Sequence, residues 1–137
     1  MGALPRLRAG RAAELGQAAG GTPAARLGKA GERAAAALLR SRGFVVVGTG
    51  FRARRGELDL ICMRGNVLFI VEVKTRAGDT FGSPLEAVGA RKRQALMSAA
   101  AEYRALAEWR GPIRYAVVAL MLRSDGGFDA ELVEDPF

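Results

Sequence analysis

Two strand-forming runs, residues 57–63 and 67–74, are separated only by Arg64-Gly65-Asn66, and this spacing restricts the fold more than any other feature. Gly-Asn is a favoured two-residue hairpin loop, with glycine supplying the positive φ of a type II′ turn. With Gly65 and Asn66 as the loop, Arg64 pairs with Val67 and the later pairs follow. Asp59 then lies opposite Glu72, and Glu57 opposite Lys74. Directly opposed residues share a face with Cβ atoms about 4.5–5.5 Å apart. Leu58, Leu60, Val71 and Val73 fill the other face, and Cys62, sharing it with Leu58 and Leu60, reads as a buried free thiol. A one-residue change in loop length would send Asp59 and Glu72 to opposite faces, so the register is a testable expectation.

Charges set among Leu, Ile, Val and Phe require compensation, because each buried ion costs on the order of several kcal/mol unless a metal or an opposite charge offsets it. The carboxylates Asp59 and Glu72, with Lys74 two residues on, read as the metal site of a nuclease. Mg²⁺ takes hard oxygen ligands, commonly one or two carboxylates with water and substrate phosphate, and Mn²⁺ serves similarly. The carbonyl of Val73 is a candidate further ligand. A bound cation polarises a phosphoryl oxygen and lowers the pKa of a water, while Lys74 orients that water or stabilises developing charge. Glu57 reads as a supporting group paired with Lys74. The same residues also fit a cross-strand ion pair with Asp59 and Glu72 facing solvent.

The remaining chain is one domain's worth at 137 residues. Residues 1–26, rich in Ala, Gly and Arg, read as a flexible basic arm, and residues 27–137 as a single domain with an acidic C-terminal segment. A helix is expected from about Leu27 to Arg42, ending at Gly43, and Phe44–Val47 as a short buried strand. After the hairpin, Ser83-Pro84-Leu85-Glu86 has the form of a capping box and opens a helical segment to about Trp109, with an interruption at Gly89. Arg114–Leu122 and Phe128–Val133 read as strands. The order is α-β-β-β-α-β-β. On the first helix Glu32 has Ala35, Ala36 and Leu39 at i+3, i+4 and i+7, which fits an inward carboxylate, although a solvated glutamate near a helix start fits as well.

Charge and composition narrow the function classes. The net charge is +7, and residues 26–55 hold eight Lys and Arg against Glu32 alone, while the last fourteen residues hold five acids and no base. Concentrated arginine, including Arg52, Arg54 and Arg55, suits a phosphate backbone, and Lys92 follows the second helix's start where it could meet substrate phosphates. With no His, a Ser-His-Asp triad and His-based metal sites are excluded, and one Cys excludes an intramolecular disulfide and a Cys-based zinc site. No apolar run approaches the roughly 18 residues needed to span a membrane. These features read as a cytoplasmic protein with nucleic acid, most readily DNA, as partner and no membrane association.

The chain resembles the PD-(D/E)xK nuclease superfamily, and within it the small bacterial YraN family of predicted endonucleases, distantly similar to archaeal Holliday-junction resolvases. The resemblance spans about residues 27–120. It is carried by Gly31-Glu32-Arg33-Ala34-Ala35, Arg55-Gly56-Glu57-Leu58-Asp59-Leu60-Ile61 and Phe69-Ile70-Val71-Glu72-Val73-Lys74-Thr75-Arg76, then Phe81-Gly82, Glu86-Ala87-Val88, Lys92 and Arg114-Tyr115. It implies a three-layer, restriction-endonuclease-like α/β fold, with a central mixed sheet flanked by helices and a divalent-metal site at Asp59, Glu72 and Lys74. It adds Glu32 as a further carboxylate at that site and Arg76 to the nucleic-acid contacts. Leu58 stands where the superfamily's name has proline, Gly50 where asparagine is expected, and Ala116 where relatives often have aspartate. The implied activity is metal-dependent endonuclease cleavage of DNA, with branched or damaged structures as candidate substrates. A non-catalytic nucleic-acid-binding module on the same fold, and a protein-interaction adaptor, are the alternatives. Action on four-way junctions would favour a two-fold homodimer.

Overall fold

The computed structural model describes residues 21–77 and 89–137. Most of the N-terminal arm, the Ser83–Glu86 capping box, and the Phe81-Gly82 and Glu86–Val88 matches lie outside these residues. The observed elements are α1 (Pro23–Ser41), β1 (Val45–Arg52), β2 (Glu57–Arg64), β3 (Val67–Ala77), α2 (Ala90–Ala107), β4 (Ile113–Leu122) and β5 (Phe128–Glu134). Their order is the one expected.

The five strands form one sheet in sequential order, β1 to β5, with β3 and β4 parallel and the other neighbours antiparallel. The parallel pair requires a crossover, and α2 supplies it. The two helices cover opposite faces. Ala35, Ala36 and Leu39 of α1 pack with Leu60, Cys62, Phe69, Val71, Ala116, Val118 and Leu120. Leu96, Ala99, Ala100 and Tyr103 of α2 pack with Leu58, Ile61, Leu68 and Ile70. The result is three layers with a core on each side of the sheet.

Two boundaries differ from expectation, each for a local reason. Helix α1 begins at Pro23, inside the stretch read as arm, because Thr22 Oγ1 accepts the Ala25 amide at 3.0 Å and proline occupies the first helical turn. The expected short buried strand at Phe44–Val47 is a longer edge strand instead. Phe44 is buried just before it, but Val45 is 59 % exposed and the strand runs on to Arg52.

The hairpin turn forms as expected. Gly65 has φ +60° while Asn66 keeps a negative φ, as a type II′ turn demands. The β2–β3 ladder has the expected register in five pairs, from Arg64–Val67 to Leu60–Val71, and there it ends. Beyond that point β2 keeps pairing with β1, while β3 continues along β4 as far as Ala77–Leu122. The continuation to paired Asp59–Glu72 and Glu57–Lys74 does not form, because the two strands fork.

Candidate metal centre

At the fork, β1 carries a left-handed residue. Gly50, inside that strand, has φ +61° and lies between the pairs Thr49–Leu60 and Phe51–Leu58, opposite Asp59. This left-handed backbone interrupts the pleat, and the effect on β2 is visible in its packing. Leu58 and Leu60, two residues apart, join cores on opposite faces of the sheet. The expected common face for Leu58, Leu60 and Cys62 therefore holds only for Leu60 and Cys62. Asp59 sits at the break in alternation.

There its carboxyl takes over a role that the backbone has given up. Asp59 Oδ2 accepts the Val73 amide at 2.9 Å, one residue past the end of the ladder. The same carboxyl lies against that of Glu72, which helps to raise it. Glu72 is buried at 4 % exposure, and β3's alternation puts it on the α2 side, in line with Leu68 and Ile70. Lys74, two residues further, follows on that side and is half-buried. Lys92, in the first turn of α2, brings its Nζ to 3.2 Å from Glu72 Oε2. This is an ion-pair contact without hydrogen-bond geometry, so Oε2 remains buried and without a donor.

The electrostatics follow from this crowding. Burial is the main reason the Asp59 carboxyl is pushed up to about 9; the hydrogen bond to Glu72 and that residue's charge add to it, against a smaller lowering by the Val73 amide. Glu32 is half-buried on α1 and also raised, first by burial and then by Glu57, with Glu72 contributing and Lys29 opposing. Its position depends on Gly31, where an added Cβ would collide with Thr75 Oγ1 of β3, so the helix seats directly on the strand that carries Glu72.

The residues at the fork fit a divalent cation. They offer hard carboxylate oxygens, one of them buried with no hydrogen-bond donor, and an Asp59 whose ionisation in this buried place has to be offset. Asp59 and Glu72 converge as a pair; among the described residues no group of three or more His, Cys, Asp and Glu is arranged to hold a metal. Glu32 lies within electrostatic range rather than in that pair. Glu57 is exposed, pairs with Arg52 of β1, and forms no ion pair with Lys74.

The candidate phosphate-binding residues are placed variously. Arg52, Arg54 and Arg55 are exposed at the β1–β2 turn, closed by an Ala53 amide bond to the Gly56 carbonyl at 2.8 Å. Glu102 of α2 pins that turn by accepting the Arg54 amide at 2.8 Å. Gly56 permits the contact, since a Cβ there would lie 3.0 Å from the Ala95 carbonyl oxygen. Arg76 is half-buried and its guanidinium donates to the Thr75 carbonyl at 3.1 Å. Lys92 is turned to Glu72, a contact that helical spacing within one element cannot reveal. The acidic tail also has an unforeseen use. Glu134 takes Arg64 at 2.7 Å and Arg114 at 3.2 Å, and Asp135 takes Arg114 at 2.6 Å.

A family model matches residues 31–120, described as the uncharacterised protein family UPF0102. The chain belongs to that family. Relatives in UPF0102 occur in distant bacteria. A UPF0102 protein of Symbiobacterium thermophilum is 42 % identical over 113 residues, covering 82 % of this chain and 96 % of the relative. One of Clavibacter michiganensis is 40 % identical over 108 residues, covering 78 % and 92 %. One of Bacteroides thetaiotaomicron is 35 % identical over 111 residues, covering 81 % and 91 %. The UPF0102 match contains Glu32, Asp59, Glu72, Lys74 and Lys92, and stops before β5. No helix among the described residues is long and apolar enough to cross a membrane.

Proposed function

We propose that this UPF0102 protein is a divalent-metal-dependent endonuclease of the PD-(D/E)xK type acting on DNA. The observation that carries the reading is the Asp59–Glu72 carboxyl pair at the β2–β3 fork, with a buried Glu72 oxygen that has no hydrogen-bond donor. Asp59 and Glu72 would hold Mg²⁺ or Mn²⁺, with the Val73 carbonyl and Glu32 as further oxygen donors. Such a cation supplies polarisation of a phosphoryl oxygen and a more acidic water. The chain's own residues supply the rest. The Asp59–Val73 hydrogen bond fixes the first carboxylate against the strand that carries the second. Lys74, on the face of Glu72, donates to the attacking water or to the charge developing on phosphorus. Arg52, Arg54, Arg55 and Arg76 bind the phosphodiester backbone, which positions the substrate without reading its sequence.

A second reading, a nucleic-acid-binding module without catalysis, draws on Lys92, which already supplies Glu72 with a counter-charge. The adaptor reading is weaker, since Glu134, Asp135, Asp125 and Asp129 of the acidic tail are engaged by the chain's own arginines. The deciding experiment incubates linear, flapped, gapped and four-way DNA, with RNA controls, in Mg²⁺, Mn²⁺ or chelator. Cleavage of DNA that requires metal and is lost in Glu72→Gln and Lys74→Met, with folding intact, is the expected result. Metal-independent binding with no cleavage of any substrate would establish the second reading.

A further inference from the structure

Glu72 is the one buried charged side chain among the described residues, and Lys92 is its ion-pair partner. The two come from different layers, β3 and the first turn of α2. A cation in the first turn of a helix is misplaced with respect to the helix dipole, whose N-terminal end favours anions. No acidic residue in that turn offsets it. Arg91 and Arg93 share that turn, and of the three cations Lys92 is the one that, among the described residues, meets a carboxylate, Glu72 across the layer boundary. The ammonium is 43 % exposed at the side chain while its partner is at 6 %, so Lys92 reaches inward from solvent on a flexible stem.

We infer that Lys92 is an internal counter-ion that competes with the divalent cation for Glu72 and thereby sets the metal affinity of the centre. The inference rests on the metal-site reading above. A divalent ion and an ammonium cannot both stay on the buried Glu72 oxygen without strong repulsion in a poorly solvated site. Metal loading therefore displaces the Lys92 side chain toward the solvent from which it reaches in. The displaced charge then lies at the rim of the centre, where an incoming phosphate meets it.

The test titrates Mn²⁺ into the metal-free full chain by isothermal calorimetry, comparing wild type with Lys92→Met, Lys92→Arg and Glu72→Gln. Lys92 is exposed, so its variants retain the fold, and melting in chelator checks this. The expected result is Mn²⁺ binding about tenfold tighter in Lys92→Met, unchanged order of magnitude in Lys92→Arg, and loss in Glu72→Gln. Lys92→Met should also melt lower than wild type in chelator and recover that difference in Mn²⁺, which a merely structural lysine would not do. Equal or weaker Mn²⁺ binding in Lys92→Met, with wild type still binding, would overturn the role of Lys92 and leave the metal centre standing. No Mn²⁺ binding by wild type or variants would remove the centre itself and this role with it.

Discussion

Asp59 has one carboxyl and two obligations: it replaces a ladder acceptor for the Val73 amide, and it holds or gives up its own charge in a buried place beside Glu72. The first is structural and works in either protonation state, while the second depends on pH. An unfolded aspartate titrates near about 3.9, and the folded Asp59 is held up to about 9. The folded protein therefore binds the extra proton more tightly, and the associated stability is present at acid pH and lost as pH rises through the folded value. Melting of the metal-free protein should fall steadily between about pH 5 and 9. Asp59→Asn keeps an oxygen for the Val73 amide and removes the ionisation. At pH 8 in chelator it should be more stable than wild type by about 1–3 kcal/mol, with a flatter pH profile, the residual slope coming from Glu32. A variant whose melting follows the wild-type pH curve would refute this account. Mn²⁺ should raise the wild-type melting temperature at pH 8 and leave Asp59→Asn far less affected.

At the scale of elements, the end of the β2–β3 ladder at Leu60–Val71 is what makes a site out of a hairpin. Gly50 holds φ +61° opposite Asp59, a conformation that glycine adopts freely and that asparagine tolerates better than other residues. The glycine found in place of the expected asparagine therefore preserves the backbone requirement. Gly50→Asn should cost little, whereas Gly50→Val should lose about 1–3 kcal/mol of stability in denaturant titrations. If the two variants unfold alike, the left-handed backbone is not what the position selects for. The fork marks the limit of what was legible beforehand. Turn chemistry at Gly65-Asn66 and period-two apolar runs made the hairpin, its register and the element order readable. A fork between two strands that each continue along another neighbour leaves no trace in those periodicities, so the periodicities predict Asp59–Glu72 as an opposed backbone pair rather than as a carboxyl contact beyond the ladder. The Lys92–Glu72 contact was hidden for a related reason, since it depends on how α2 crosses the sheet. Ala116 is buried in the core directly across from Glu134, which supplies the carboxylate that Arg64 and Arg114 meet.

Over the whole molecule, charge is sorted. Four of the five tail acids are matched with Arg64, Arg114 and Arg123, while among the described residues Arg52, Arg54, Arg55 and Arg76 have no carboxylate partner. A surface sorted in this way attracts a polyanion without a sequence preference. The double variant Arg54→Ala/Arg55→Ala should weaken DNA binding about equally for unrelated duplexes. It should also lower the slope of log affinity against log salt by about 2, measured by fluorescence anisotropy with Ca²⁺ present. An unchanged slope would place the phosphate track elsewhere. The sheet adds a mechanical asymmetry to this sorted surface. Glu72 and Lys74 stay bonded through β3 to β4 past the point where β2 has departed, while Asp59 hangs on a strand supported by the sheet edge β1. The two carboxylates thus differ in their anchorage: Glu72 is held by its own strand's ladder to β4, and Asp59 is held to β3 through its side chain, by the bond from the Val73 amide.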